Sequence, residues 1–580
     1  MYIRNRFDMT GKNFIIPVFI FSFLLPVNAQ QKKQETNLKR EVTLYNPYKP
    51  SLPDAKKRSF LPEMNDTVKV RPEFRYEISS KPFLPIYTVN PIKAVTLLPD
   101  PLPKLYKSYV KIGLGNYITP LAEISITNER SKKGSIGFYA RHFSSNGKIE
   151  LQNGKRVYAG YMDNDASLFG KKFFRKSLLE GSIDLTQKTR YAYGYNTDLT
   201  DYVPVKKDIR LNYENIGGKA ALTSINLDSA SFSYKFDVMY NYFYNTKNFF
   251  QNSVRLEGMM SKSFNGLYIG SGIRYDYDKV NDFIIPDPKY IFSISPFIKK
   301  RNDQWNFTLG FQALLERNLD LNPVLHLYPD LNLGFNVVPT YLSFFAGISG
   351  KLEKNDPLKI ISENPFLVTD GTLFKLPNTN HTLIFSTGLK GNSGIGGNYL
   401  FSASYSLINN MLLYSSLILP PESLKQEVGN HFIPLSDDVE LLNIHGEING
   451  LINDKFFYYG SADWYKYTLS ENDFAWNKPD WETTIGVKYN LLDKVIAGLE
   501  LTGTGPRKLL VKEMQLLDPP SFFYFQAPVH LNLNLSAEYR YSKIISVWAK
   551  FNNISYNPYY EWAYYPSKRF ICMLGFTYSL

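Results

Sequence analysis

Six histidines, His142, His326, His381, His431, His445 and His530, are the first side chains to weigh for metal or proton-transfer chemistry. A zinc or iron site needs ligands at set helical or loop spacing, as in His-Glu-x-x-His. These six are scattered, with no pair at such spacing, so each reads as a wall or loop residue. Asp163-Asn164-Asp165 begins like a calcium loop, yet the remaining ligand positions are missing. Gly113-Leu114-Gly115 and Gly270-Ser271-Gly272 echo part of a nucleotide-binding fingerprint. Alternate glycines are also ordinary on strands that bend or crowd, which is the reading taken for both. There is no Gly-x-Ser-x-Gly elbow. The lone Cys572 excludes an internal disulfide framework. No catalytic residue, metal ligand or cofactor site stands out, and the chain reads as a non-enzyme.

The elements that carry these residues are more informative. Arg4, Arg6 and Lys12 precede the apolar run Asn13–Leu25, and Val27-Asn28-Ala29 then offers small residues before Gln30. That order predicts a signal peptide over 1–29, cleaved between Ala29 and Gln30. The run is too short to anchor, since a spanning helix needs about 20 residues. Residues 30–107 hold eleven of the 34 prolines, a density that removes ladder donors and favours extended backbone. Apolar pairs such as Phe60-Leu61 and Phe83-Leu84 recur there, so the segment reads as a tail that docks onto something.

From Ser108 to the end the pattern has period two. Leu531, Leu533, Leu535, Ala537, Tyr539 and Tyr541 alternate with Asn532, Asn534, Ser536, Glu538 and Arg540. In the last segment Phe570, Cys572, Leu574, Phe576, Tyr578 and Leu580 share one face. Such alternation fits a soluble sandwich or a membrane barrel. The aromatic load is heavy, 43 Tyr and 41 Phe spread along the chain. Two features decide for a barrel: Tyr, Trp and Phe cap the apolar face at strand ends as a girdle, and the opposite face carries Lys, Arg, Asp, Glu and Asn in strand after strand, which suits a water-filled lumen. The expected fold is therefore all-β: a large transmembrane antiparallel barrel over 108–580, of about 22 strands (range 20 to 24), behind a proline-rich periplasmic segment. Tight turns are expected at Ile408–Met411, Phe264–Leu267 and Gly394–Asn398. Long outer connections are expected around 355–380, 420–436 and 507–528. Phe576, Tyr578 and Leu580 are the expected closure and assembly signal, because the last strand must pair with the first to remove both edges.

Three stretches resemble the C-terminal end of TonB-dependent receptor barrels: Val529–Tyr541, Ile545–Ile554 with its Asn552-Asn553-Ile554 ending, and Tyr565-Pro566-Ser567-Lys568-Arg569. The resemblance implies a receptor or transport pore of the Gram-negative outer membrane. That family carries a plug of over a hundred residues before its first strand. Only the 78 residues 30–107, rich in proline, lie between the expected cleavage site and Ser108 here, so the chain is expected to lack a plug. A weak TonB-box-like element is readable in Asp66-Thr67-Val68-Lys69-Val70, or in Glu41-Val42-Thr43-Leu44. Two readings of function stand side by side. One is a transport barrel for an unknown ligand. The other is a non-transporting structural or assembly subunit of an outer-membrane complex, with a periplasmic or surface-lipoprotein partner. The net charge of +13 would suit nucleic acid, but export redirects it to lipid headgroups, glycans or acidic proteins. Outer-membrane lipids are expected partners, no cofactor is, and oligomeric state is left open.

Overall fold

The computed structural model describes residues 108–579, apart from 129–130, 132, 196–204, 226–231, 247–248, 281–287, 319–321, 368–375, 395, 419–430, 454, 514–519 and 556–558. The expected cleavage site, the tail with Asp66–Val70, and Leu580 lie outside the described residues.

Strand follows strand because side chains alternate between lipid and lumen, and each backbone group finds its partner on a neighbour. One continuous sheet holds 24 strands. Two of them, Arg507–Glu513 and Ser521–Ala527, form a hairpin added above the wall, which leaves 22 in the barrel. The wall closes without an edge: Ser108–Gly115 pairs with Thr119–Thr127 on one side and with Ile571–Ser579 on the other. Among the described residues no helix is long and apolar enough to cross a membrane. The strands do the crossing.

Register fixes the faces. Ile112 lies opposite Phe576 and Val110 opposite Tyr578 on the outside, with Phe576 46% and Tyr578 37% exposed. Leu501, Leu533 and their row are outward, while Glu500 and Asn534 point inward. Short turns sit at the end where the first strand begins. Asn265 and Gly266 both have positive φ in a two-residue turn between Phe264 and Leu267, as that hairpin type requires. Gly394 and Gly396 make another. Long connections gather at the opposite end.

One expected turn is absent. Ile408–Met411 lies inside a single 22-residue strand, Gly397–Ile418. Asn410 takes φ 58° and the register shifts there, so the Asn-Asn pair makes a bulge rather than a reversal. Beyond it the strand leaves the barrel wall. Leu412, Leu413 and Tyr414 are all buried, because this upper part is covered on both faces.

Candidate functional site

The site with most chemistry is the lumen together with a roof over its long-connection end. Polar side chains line the wall because the inward half of each alternation is polar. On adjacent strands Arg255 Nε and Arg274 Nε lie 2.6 and 2.5 Å from the two oxygens of Asp276, which is 1% exposed. Arg190 Nη1 is 2.6 Å from Asp163. His445 Nδ1 is 2.9 Å from Asp463, and His326 Nε2 is 3.0 Å from Glu316. The arginines in these pairs compensate the inward carboxylates of Asp163 and Asp276.

The roof is built from residues far apart in sequence. A single buried apolar cluster joins Tyr191, Leu211, Tyr213 and Phe243 from one side of the wall to Leu412, Tyr414 and Phe432 from another. The connection 354–378 contributes Ile360, Phe366 and Leu367, and the upper hairpin contributes Leu509 and Val511. Tyr565, 1% exposed, stands at the centre. Its ring centroid is 4.1 Å from Phe366, 4.8 Å from Tyr193 and 5.7 Å from Phe432.

Polar contacts tie the roof to the wall. Lys354 Nζ reaches Asp278 at 2.7 Å and Asp356 at 3.4 Å. Asp356 then accepts from the Lys359 N–H at 2.8 Å, capping the short helix Pro357–Glu363. Asn378 donates to Glu316 at 2.7 Å, Tyr213 to the Pro365 carbonyl at 2.7 Å, and Tyr193 to the Pro566 carbonyl at 3.0 Å. Lys568, in the connection before the last strand, donates to Ser145 at 2.5 Å and lies 4.4 Å from the Tyr161 ring. Burial pushes its ammonium down to about 7. Among the described residues it has no ion-pair partner.

The residues singled out in sequence fall apart as chemistry. Asp163 and Asp165 point inward and Asn164 outward, so the three cannot converge on one cation. No group of three or more His, Cys, Asp or Glu side chains gathers around a metal site among the described residues. His142 pairs with Asn164, and His530 stacks on Tyr559 at 3.6 Å. Gly113 lies on a strand, as expected of alternate glycines, beneath the ring of Trp548. What sequence reasoning missed is the roof. The signal for it was the run Met411–Tyr414, whose consecutive apolar residues break the period of two and call for cover on both faces.

No sequence family and no curated protein matches the chain. Solved structures do. The chain is similar to the ferripyoverdine receptor of the outer membrane of Pseudomonas aeruginosa (TM-score 0.59, 11% identity, 82% of this chain and 72% of that one). It is similar to the FrpB iron transporter from Neisseria meningitidis (TM-score 0.60, 10% identity, 83% and 82%). It is also similar to the ferric-catecholate import receptor Fiu from E. coli K12 (TM-score 0.57, 8% identity, 82% and 82%). At this identity the likeness is one of fold: a closed antiparallel outer-membrane β-barrel.

Proposed function

We propose that this protein is a receptor or transport barrel of the outer membrane, resembling the TonB-dependent receptors, for a ligand not yet identified. One observation carries the reading: a 22-strand wall with a polar lumen is covered at its long-connection end by chain folded inward. An open barrel of that size would leave a wide hole. A roof made of connections, rather than of wall, is the part of such a barrel able to move. The test is conductance of the purified full-length protein in planar bilayers, before and after deletion of 560–566. A silent intact barrel that conducts once the roof is cut supports a gated pore. A barrel silent in both forms counts against it.

The second reading, a structural or assembly subunit that binds a periplasmic or surface-lipoprotein partner, draws support from the depth of the same roof. Ile360, Leu367, Val511 and Tyr565 are at most 1% exposed, a packing more like a domain core than a mobile lid. Affinity purification from native membranes separates the two. A stoichiometric protein partner with no ligand-induced conductance favours the subunit.

A further inference from the structure

The outward face of five consecutive strands carries a row foreign to an apolar belt. His142, Asn164, Gln187, Glu214 and Tyr244 stand opposite one another in register on Gly134–Ser145, Tyr161–Phe173, Ser177–Tyr191, Arg210–Ser224 and Ser233–Asn245. Their direction follows from the pleat. Leu168, Leu185 and Ile216, of the same parity on their strands, are exposed on the outside of the wall.

The row is joined end to end. His142 Nδ1 donates to Asn164 Oδ1 at 2.6 Å. Asn164 Nδ2 donates to Gln187 Oε1 at 2.8 Å, and Gln187 Nε2 to Glu214 Oε1 at 3.0 Å. Tyr244 donates its hydroxyl to the other carboxylate oxygen of Glu214. Ser144 Oγ lies 3.0 Å from His142 Nε2. Each amide nitrogen has two protons, and a carboxylate accepts about four hydrogen bonds. The row therefore has donors and acceptors left over, spaced by the strand separation of about 4.8 Å. Bare hydrocarbon would leave all of them unmatched.

Beside the row, Ala122, in register with His142, and Ala140 and Ala166, one outward position further along their strands, floor a hollow of about 620 Å³, rimmed by Ile112, Leu185 and Ile216. Polar row and apolar hollow are contiguous, and the hollow opens onto the belt.

We propose that this strip is a binding site for a glycolipid of the surrounding membrane. Its uncharged saccharide headgroup lies along the ladder and one acyl chain fills the alanine hollow. Sugar hydroxyls both donate and accept, as the row demands. Glu214 sets the charge: it repels a headgroup phosphate and accepts from a hydroxyl. The site needs only that the wall spans a membrane, so it is independent of the transport reading.

The test places a photoreactive leucine analogue at Leu185, on the rim, and as control at Leu389, outward on another part of the wall. The full-length protein is held in nanodiscs of phosphatidylcholine with a minor fraction of galactosyl diacylglycerol. Cross-linking at Leu185 is expected to favour the galactolipid roughly tenfold over Leu389, a difference of about 1.4 kcal/mol that two directed hydrogen bonds can supply. In a Gln187→Leu/Glu214→Leu variant that preference is expected to vanish while heat-modifiable migration stays normal. Equal labelling at the two positions, or labelling indifferent to the double replacement, overturns the proposal. So does enrichment of phosphatidylglycerol when that lipid replaces the galactolipid, or recovery of a cross-linked protein at Leu185 from native membranes.

Discussion

Gly113 and Gly575 stand directly opposite each other across the seam where the first strand meets the last, and the indole of Trp548 covers both. A Cβ at either position would run into the ring, and at Gly575 also into the Ile112 carbonyl. The closing pair is thus glycine because a large inward side chain from the neighbouring strand lies flat on it.

Gly575→Val is therefore expected to impair closure by about 1–3 kcal/mol, the usual cost of overpacking. The readout is the fraction of heat-modifiable, protease-resistant barrel in outer-membrane fractions. Combining it with Trp548→Ala should restore part of that loss. A double variant as defective as the single one would contradict the steric account.

Charge tolerance should follow the pleat. Leu533 faces outward beside Leu501, while Asn534 faces the lumen beside Glu500. Leu533→Arg should cost about 2–4 kcal/mol near the midplane, and Asn534→Arg should be tolerated. Equal amounts of folded protein for the two variants would mean the faces are assigned wrongly.

Tyr565→Ala removes the ring at the centre of the roof. Loss of a buried aromatic costs about 3–5 kcal/mol, here confined to the roof, because the wall's ladder is complete without it. Limited proteolysis should cut the long connections sooner in this variant, with thermal unfolding of the barrel unchanged. Unaltered cleavage would show that the roof does not depend on this packing.

Lys568 gives the roof a pH dependence of definite sign. Its folded-state value is held down to about 7 from an ordinary 10.5. Between those values the unfolded chain binds more protons than the folded one, so stability contributed here rises with pH and is lost as pH falls toward 7. Lys568→Met should abolish that slope. The comparison is unfolding of both proteins across pH 7 to 10; parallel curves would exclude the effect.

Removal of 30–107, with residues 1–29 kept, should leave an inserted barrel of unchanged thermal stability. The pairing from Ser108 to Ser579 is closed without that segment. Leakage of antibiotics after truncation would make the tail a plug; loss of a periplasmic partner from pulldowns would make it a tether. Failure to insert would refute the division at Ser108.

The wall was legible in the sequence because its information is local. A side-chain period of two assigns faces residue by residue, so Leu533 and Asn534, or Phe576 and Thr577, fall on opposite sides whatever the rest of the chain does. Turn residues with positive φ, such as Asn265-Gly266, are equally local. Asn409-Asn410 looked the same, but a left-handed asparagine suits a bulge as well as a turn, and only the partner strand decides which. The roof and the outer ladder depend on tertiary structure throughout. Tyr213 meets Pro365 and Tyr193 meets Pro566, and Glu214 gains Gln187 and Tyr244 from strands on either side. No residue type announces such contacts in advance, because they arise when chain closure brings distant segments to one place, after each has already satisfied its own local rules.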